Sequence, residues 1–286
     1  MSGERRNSQK PSLITRGFAV FARGIGFVTA ALILEVHNLV KEFGGIRAVD
    51  DCSFSVREGS ITGLIGPNGA GKTTAFNMVT GFIRPDRGEI RFRGERIDRL
   101  PPHVIFRKGI ARTFQIPREL RLMTVLENLM LVPMNQGGEG LWRSWFAPGR
   151  VREEEERIYR RAIEVLEFVQ LIHLKDELAA NLSVGQKKLL ELARVLMADP
   201  QLILLDEPAA GVNPTLMNKL AGYVRSLRDQ GKTFLLVEHN MDLVADVCDW
   251  VIVMNNGRRL VEGKPEEVRR HPEVLEAYLG GAYAAS

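Results

Sequence analysis

The chain has 286 residues, 45% apolar and 26% charged, with a formal net charge of +4. This is ordinary globular composition, with length enough to bury a core in one large domain or two small ones. Arg5, Arg6, Lys10, Arg16 and Arg23, set against Glu4, hold the whole excess charge within the first 30 residues. The remainder is neutral by count, which excludes a broad basic footprint for nucleic acid.

In chain order, "GFAVFARGIGFVTAALIL" is apolar but broken by Arg23, so only residues 24–34 are uncharged. A bilayer-spanning helix needs about 20 apolar residues, and this run falls short. Basic residues before an apolar run also fit a signal peptide. Here, however, the run merges into "LILEVHNLV", which reads as the first strand and would be damaged by cleavage. Residues 1–31 are therefore expected to be a poorly ordered extension, and 32–286 a single folded unit.

Strands are predicted at "LILEVHNLV", "DDCSFSVR", "SITGLIG", "GEIRFRG", "ARTFQ", "QLILLD", "KTFLLVE" and "DWVIVMNNG", apolar runs closed by turn residues. Helices are predicted at "KTTAFNMVT", "VGQKKLLELARVLMA", "PTLMNKLAGYVRSLRDQ" and "MDLVADVC". Alternation of strands and helices implies a mostly parallel sheet covered on both faces. The first third, with successive strands and turns at "REGS" and "RPDRGE" read as hairpins, predicts an antiparallel β subdomain. A strand-poor stretch, about 117–200, reads as an inserted helical subdomain. It contains "TVLENLMLV" and a long helix from "VREEEERIYRRAIEVLEFV", on which Glu153 and Arg157, and Glu156 and Arg160, are spaced for i,i+4 pairs. Between them "MNQGGEGLWRSWFAPGR" carries Trp142, Trp145 and Phe146, a candidate contact surface. Cys52 and Cys248 sit in apolar stretches without metal-ligand spacing and read as buried thiols.

"GLIGPNGAGKTT" fits G-x-x-x-x-G-K-[ST] between a strand and a helix. Gly66, Pro67, Asn68, Gly69, Ala70 and Gly71 form the loop, whose backbone N–H groups and helix dipole suit phosphate. Lys72 is placed to reach the β and γ phosphates, Thr73 to offer a hydroxyl to Mg²⁺, and Thr74 completes the motif. The fold class is thus α/β, a P-loop NTPase core. In "QLILLDEP", Asp206 and Glu207 fall at a strand's carboxyl end, where ligands bind in parallel sheets. Asp206 is the candidate Mg²⁺ anchor. Glu207, read as pointing away from it in extended chain, is the candidate general base. In "NLSVGQKK", Ser183 and Gln186 fit a capping box, which leaves Gly185 unexplained, a costly residue in a first turn unless something approaches closely.

Taken in order, these motifs resemble the nucleotide-binding subunit of ABC transporters. "GPNGAGKTT" is similar to the family's Walker A loop, "LSVGQ" to its signature, "LILLDE" to its Walker B strand, "TFQ" with Gln115 to its Q-loop, and "VEHN" with His239 to its switch histidine. Phe43 resembles the aromatic on which adenine stacks. The resemblance spans about residues 32–280 and implies an ATPase using ATP and Mg²⁺, with Gln115 among the Mg²⁺ ligands and His239 at the γ-phosphate. It further implies a second ABC ATPase subunit, in a homo- or heterodimer, packed head to tail, so that Ser183, Gly185 and Gln186 act on nucleotide held by the partner. Val184 and Asn213 depart from the family's usual glycine and aspartate. Transmembrane permease subunits and, indirectly, a periplasmic solute-binding protein are the implied partners, at the cytoplasmic face of the inner membrane. "RTFQIPRELRLMTVLENLMLV", "AAGVNP" and "HPEVLEAYLGG" are similar to importers of branched-chain amino acids or related small amides. The alternatives are an ATPase of a lipopolysaccharide-type exporter and a soluble, non-transport ABC ATPase.

Overall fold

The computed structural model describes residues 31–113, 119–133 and 148–283. Residues 1–30, Gln115, Trp142, Trp145 and Phe146 lie outside them. In chain order the elements are β1 (Leu32–Phe43), β2 (Ile46–Arg57), β3 (Ile61–Ile65), α1 (Lys72–Val79), β4 (Arg87–Phe92), β5 (Glu95–Arg96), α2 (Pro102–Arg107) and β6 (Ile110–Arg112). Helices α3 (Val125–Met130), α4 (Pro148–Phe168) and α5 (Val184–Met197) follow, then β7 (Leu202–Asp206), α6 (Pro214–Asp229), β8 (Thr233–Val237) and α7 (Met241–Val247). The chain ends in β9 (Trp250–Asn255), β10 (Arg258–Gly263), α8 (Pro265–Arg269) and α9 (Pro272–Tyr283).

Two sheets result. An antiparallel sheet has the order β2-β1-β4-β5, and a second sheet the order β10-β9-β3-β8-β7-β6. In the second, β3, β6, β7, β8 and β9 run parallel and β10 returns antiparallel on the edge. The parallel strands are predominantly apolar because both their faces are covered. Ile203 and Leu205 of β7, with Phe234 and Leu236 of β8, face one cluster shared with α3, α4, α5 and α6. Their neighbours Leu202, Leu204, Leu235 and Val237 face the other, shared with α1 and the antiparallel sheet. Strand alternation thus sorts one apolar run between two cores.

The hairpins differ from the sequence reading. "REGS" carries the chain from β2 into β3, which pairs with β8 and β9 in the other sheet, and "RPDRGE" joins α1 to β4. A strand buried on both faces cannot stay at the edge of the antiparallel sheet, so the chain crosses layers there. The hairpins of the antiparallel sheet close at Gly44 and Gly45 (φ 54° and 87°) and at Arg93 and Gly94 (φ 49° and 78°), where positive φ suits the strand twist. Strands β5 and β10 and helix α2 were not predicted, being short or strongly charged.

Helices α3, α4 and α5 lie between β6 and β7 and pack on one another through Val125, Leu129, Ala162, Leu166 and Leu189. Thr124 caps α3 in a capping box with Glu127, and the expected Glu156–Arg160 pair forms at 3.0 Å. Cys52 and Cys248 are free and buried, and burial pushes their thiols up to about 11 and about 12.

Phe234 is wholly buried in the centre of the parallel sheet. Phe234→Ala is expected to cost about 3–5 kcal/mol in urea unfolding. Ile46→Ala, at a site 74% exposed, should stay within about 0.5 kcal/mol.

Candidate nucleotide site

The loop after β3 is shaped by what lies against it. At Gly66, φ is 148° and an added Cβ would stand 2.1 Å from the Met254 carbonyl oxygen of β9. At Gly71, which precedes α1 with φ 94°, it would stand 2.3 Å from the Ala48 carbonyl oxygen of β2. Neither position admits a side chain. The Gly257 amide donates to Ala70 O at 3.1 Å, which ties the loop to the β9–β10 turn. Asn68, Gly69 and Thr73 are exposed, and Pro67 and Thr74 half-buried. Helix α1 has no side-chain cap, so its first N–H groups are available to an anion.

Lys72 is 5% exposed. Its ammonium donates to the carbonyls of Gly66 and Pro67, each at 2.9 Å. Burial pulls its pKa below the ordinary lysine value, while the Glu207 and Asp206 carboxylates oppose the shift. The loop lysine and both strand-end carboxylates therefore share one electrostatic environment. The parallel pairing of β7 with β8, and of β8 with β3, brings their carboxyl ends to one edge.

Asp206 is 2% exposed. Its Oδ2 accepts from Arg112 Nη2 at 2.5 Å, and its Oδ1 is buried without a hydrogen-bond partner. Glu207 is not extended, as the sequence reading has it, but left-handed at φ 49°. The strand ends at Asp206 and the chain reverses at once, pinned by Glu207 N donating to Val237 O at 2.9 Å and Ala210 N to Glu207 O at 3.0 Å. A left-handed glutamate is strained by about 1–3 kcal/mol, which such contacts must offset. The turn sets Glu207 Oε1 3.1 Å from His239 Nε2, both partly open to solvent.

Behind this pair Glu238, 3% exposed, accepts from the backbone amides of Ala209 at 2.8 Å, His239 at 3.0 Å and Asn240 at 3.3 Å. It locks the turn after β7 to the turn after β8. Lys188 of α5 serves the same turn, donating to the carbonyls of Glu207 (3.4 Å), Pro208 (3.0 Å) and Ala210 (2.5 Å). Sequence reasoning missed Arg112, Lys188 and Glu238. For Arg112 a signal existed, a charge inside the apolar run "IARTF"; Lys188 looks like any solvated helix lysine.

Ser183 and Gln186 form the expected capping box: Gln186 N donates to Ser183 Oγ at 3.3 Å and Ser183 N to Gln186 Oε1 at 2.8 Å. Both bonds lie within the turn itself. Val184 beside it is 60% exposed. At Gly185 a Cβ would stand 2.5 Å from Leu216 Cδ2 of α6, the tip of a half-buried flexible side chain that would have to move aside. Asn213 caps α6, its Oδ1 accepting from Leu216 N at 2.9 Å, a role that the family's usual aspartate would serve about equally. Phe43 ends β1, 47% exposed, with Lys41 Nζ 5.3 Å from its ring centre. It pairs across the hairpin with Ile46, two residues from the Ala48 carbonyl that faces Gly71.

The family described as "ABC transporter" matches residues 49–210, and "Branched-chain amino acid ATP-binding cassette transporter" matches 258–284. The chain belongs to the ATP-binding cassettes of ABC transporters. It is 48% identical, over 87% of its length and 95% of the relative's, to a probable branched-chain amino acid transport ATP-binding protein of Archaeoglobus fulgidus. It is 42% identical, over 87% of its length and 98% of the relative's, to a high-affinity branched-chain amino acid transport ATP-binding protein of Pseudomonas aeruginosa. A solved ADP conformation of an ATP-binding cassette of an ABC transporter superposes with a TM-score of 0.75 at 40% identity, over 87% of this chain and 99% of that one.

If Asn213 is chiefly a helix cap, Asn213→Ala should lower stability by about 1 kcal/mol and Asn213→Asp by clearly less. Denaturant unfolding of the two variants separates them.

Proposed function

We propose that this chain is the ATP-hydrolysing subunit of an importer for branched-chain amino acids or closely related small amides, and that it works as one of two cassettes closed over two nucleotides. The observation that carries the ATPase reading is the convergence of Lys72, Asp206, Glu207 and His239 at one sheet edge. The solute reading is supported by the match of residues 258–284 and by the names of the relatives.

In this mechanism the phosphates take the N–H groups of the loop at Gly66–Thr74, and Lys72 exchanges its two loop carbonyls for phosphate oxygens. Phe43 stacks on adenine. The residues present suit Mg²⁺: Asp206 keeps a buried Oδ1 without a partner, and with the Thr73 hydroxyl and Gln115 it would hold the ion, which supplies neutralisation of charge building on the phosphates. Glu207 takes the proton of the attacking water, and His239, held 3.1 Å from it, contacts the γ-phosphate. Ser183, Gly185 and Gln186 reach nucleotide on the partner cassette. Product release reopens the pair, so hydrolysis becomes motion.

The proposed organisation is an extension at 1–31 and a cassette at 32–286, into which a helical subdomain is inserted at about 117–200. Among the described residues no helix is long and apolar enough to cross a membrane, so movement of solute falls to permease subunits at whose cytoplasmic face the cassette docks. A groove of ≈400 Å³ lined by Phe82, His103, Phe106, Val132 and Arg194 suits an inserted permease segment, Phe82 being 51% exposed there. A periplasmic solute-binding protein acts through the permease.

Glu207→Gln is expected to reduce ATP turnover by ~10²–10⁴-fold while ATP binding persists; steady-state hydrolysis at the unaltered rate would remove Glu207 from the role of base. In proteoliposomes with the permease, leucine-loaded binding protein should stimulate hydrolysis. Stimulation by another solute class, with none by leucine, isoleucine or valine, would overturn the solute assignment.

A further inference from the structure

Arg112 ends β6 within an apolar strand, yet its side chain is only 8% exposed. Besides the bond to Asp206 Oδ2, its Nη1 donates to Asn77 Oδ1 at 2.6 Å and makes a longer bond to Thr80 Oγ1 at 3.4 Å. The guanidinium stands 5.6 Å from the centre of the Phe76 ring. Phe76 and Asn77 belong to α1 and Thr80 closes it, and α1 is the helix whose first residues are Lys72 and Thr73. One planar fork therefore joins β6, the carboxyl end of β7 and the helix behind the phosphate loop.

A carboxylate and a guanidinium this deeply buried are tolerable only as a well-bonded pair. Arginine alone can serve several acceptors from a rigid plane. The pair commits one oxygen of Asp206 and leaves Oδ1 buried without a partner. The next residue reinforces the arrangement: Asp206 N donates to Thr113 Oγ1 at 3.4 Å, and Thr113 N to Leu204 O at 2.9 Å.

We propose that Arg112 is a positioning residue for the cation-binding aspartate, holding Asp206 through Oδ2 against α1 so that Oδ1 alone serves the ion. The inference rests on the reading of Asp206 as the Mg²⁺ anchor. It also adds a connection which that reading lacks. Arg112 lines the ≈400 Å³ groove together with Glu191 and Arg194, so the wall of the proposed permease groove and the metal anchor share one side chain.

The test uses the full chain and a fluorescent, non-hydrolysable ATP analogue, titrated with Mg²⁺ and, in parallel, with Mn²⁺ followed by electron paramagnetic resonance. Arg112→Gln is expected to raise the half-saturating Mg²⁺ concentration about tenfold or more, with metal-free analogue affinity within about twofold of the unaltered chain, as for loss of a residue that orients a metal ligand. Arg112→Lys keeps the charge but cannot bridge Asp206 and Asn77 together, so it should fall between. Asn77→Ala leaves Asp206 and Arg112 in place, removes the anchor on α1, and should shift Mg²⁺ dependence in the same direction by less. If Arg112→Gln does not fold, Asn77→Ala decides. Unchanged or tighter Mg²⁺ dependence in folded Arg112→Gln, or in Asn77→Ala, overturns the proposal. No Mg²⁺ dependence in the unaltered chain overturns the reading of Asp206 as well.

Discussion

The parallel register of β7, β8 and β3 is the constraint from which the rest follows. Three apolar strands buried on both faces must end together, and the residues just beyond their ends are forced into a common crevice. Those residues are ionisable, and a partly dry edge admits charges only in company. Each accordingly has an internal partner: Lys72 the loop carbonyls, Asp206 the Arg112 fork, Glu207 the imidazole of His239, and Glu238 three backbone amides. The reactive edge is thus held in place before any ligand contributes.

Much of this architecture was legible because it is written in local patterns. Apolar runs closed by turn residues marked the parallel strands, and the glycine spacing marked the loop between β3 and α1. The crossing from β2 to β3 was not legible, because a short glycine turn looks the same whether it folds a hairpin or changes sheets. Only the pairing partners, remote in sequence, decide that. The backbone at Glu207 was not legible either: it reads as extended, but the left-handed turn depends on contacts from Val237 and Ala210 that no local pattern encodes. Arg112 and Lys188 were missed for a related reason: what gives them meaning is burial against residues far along the chain.

Gly185 shows how a motif can have more than one cause. A larger residue there would have to displace the Leu216 side chain of the same chain, whatever else approaches from outside. The same helix bears Lys188, which grips the carbonyls following Glu207. One rigid helix thereby ties the Ser183 turn to the turn after β7. In the proposed dimer, closure over one nucleotide would bear through that helix on the turn holding Glu207 at the other.

The central claim is that each nucleotide pocket is shared, the loop coming from one chain and the Ser183 turn from another. Its most direct test is occlusion of labelled ATP in mixtures of two damaged chains, Lys72→Ala and Ser183→Arg, both carrying Glu207→Gln to prevent turnover. Each alone should retain no nucleotide. Mixed, they should form heterodimers holding one occluded ATP, built from the intact loop of one and the intact turn of the other. Failure of the mixture to occlude ATP, when the Glu207→Gln chain alone does so, would contradict the account.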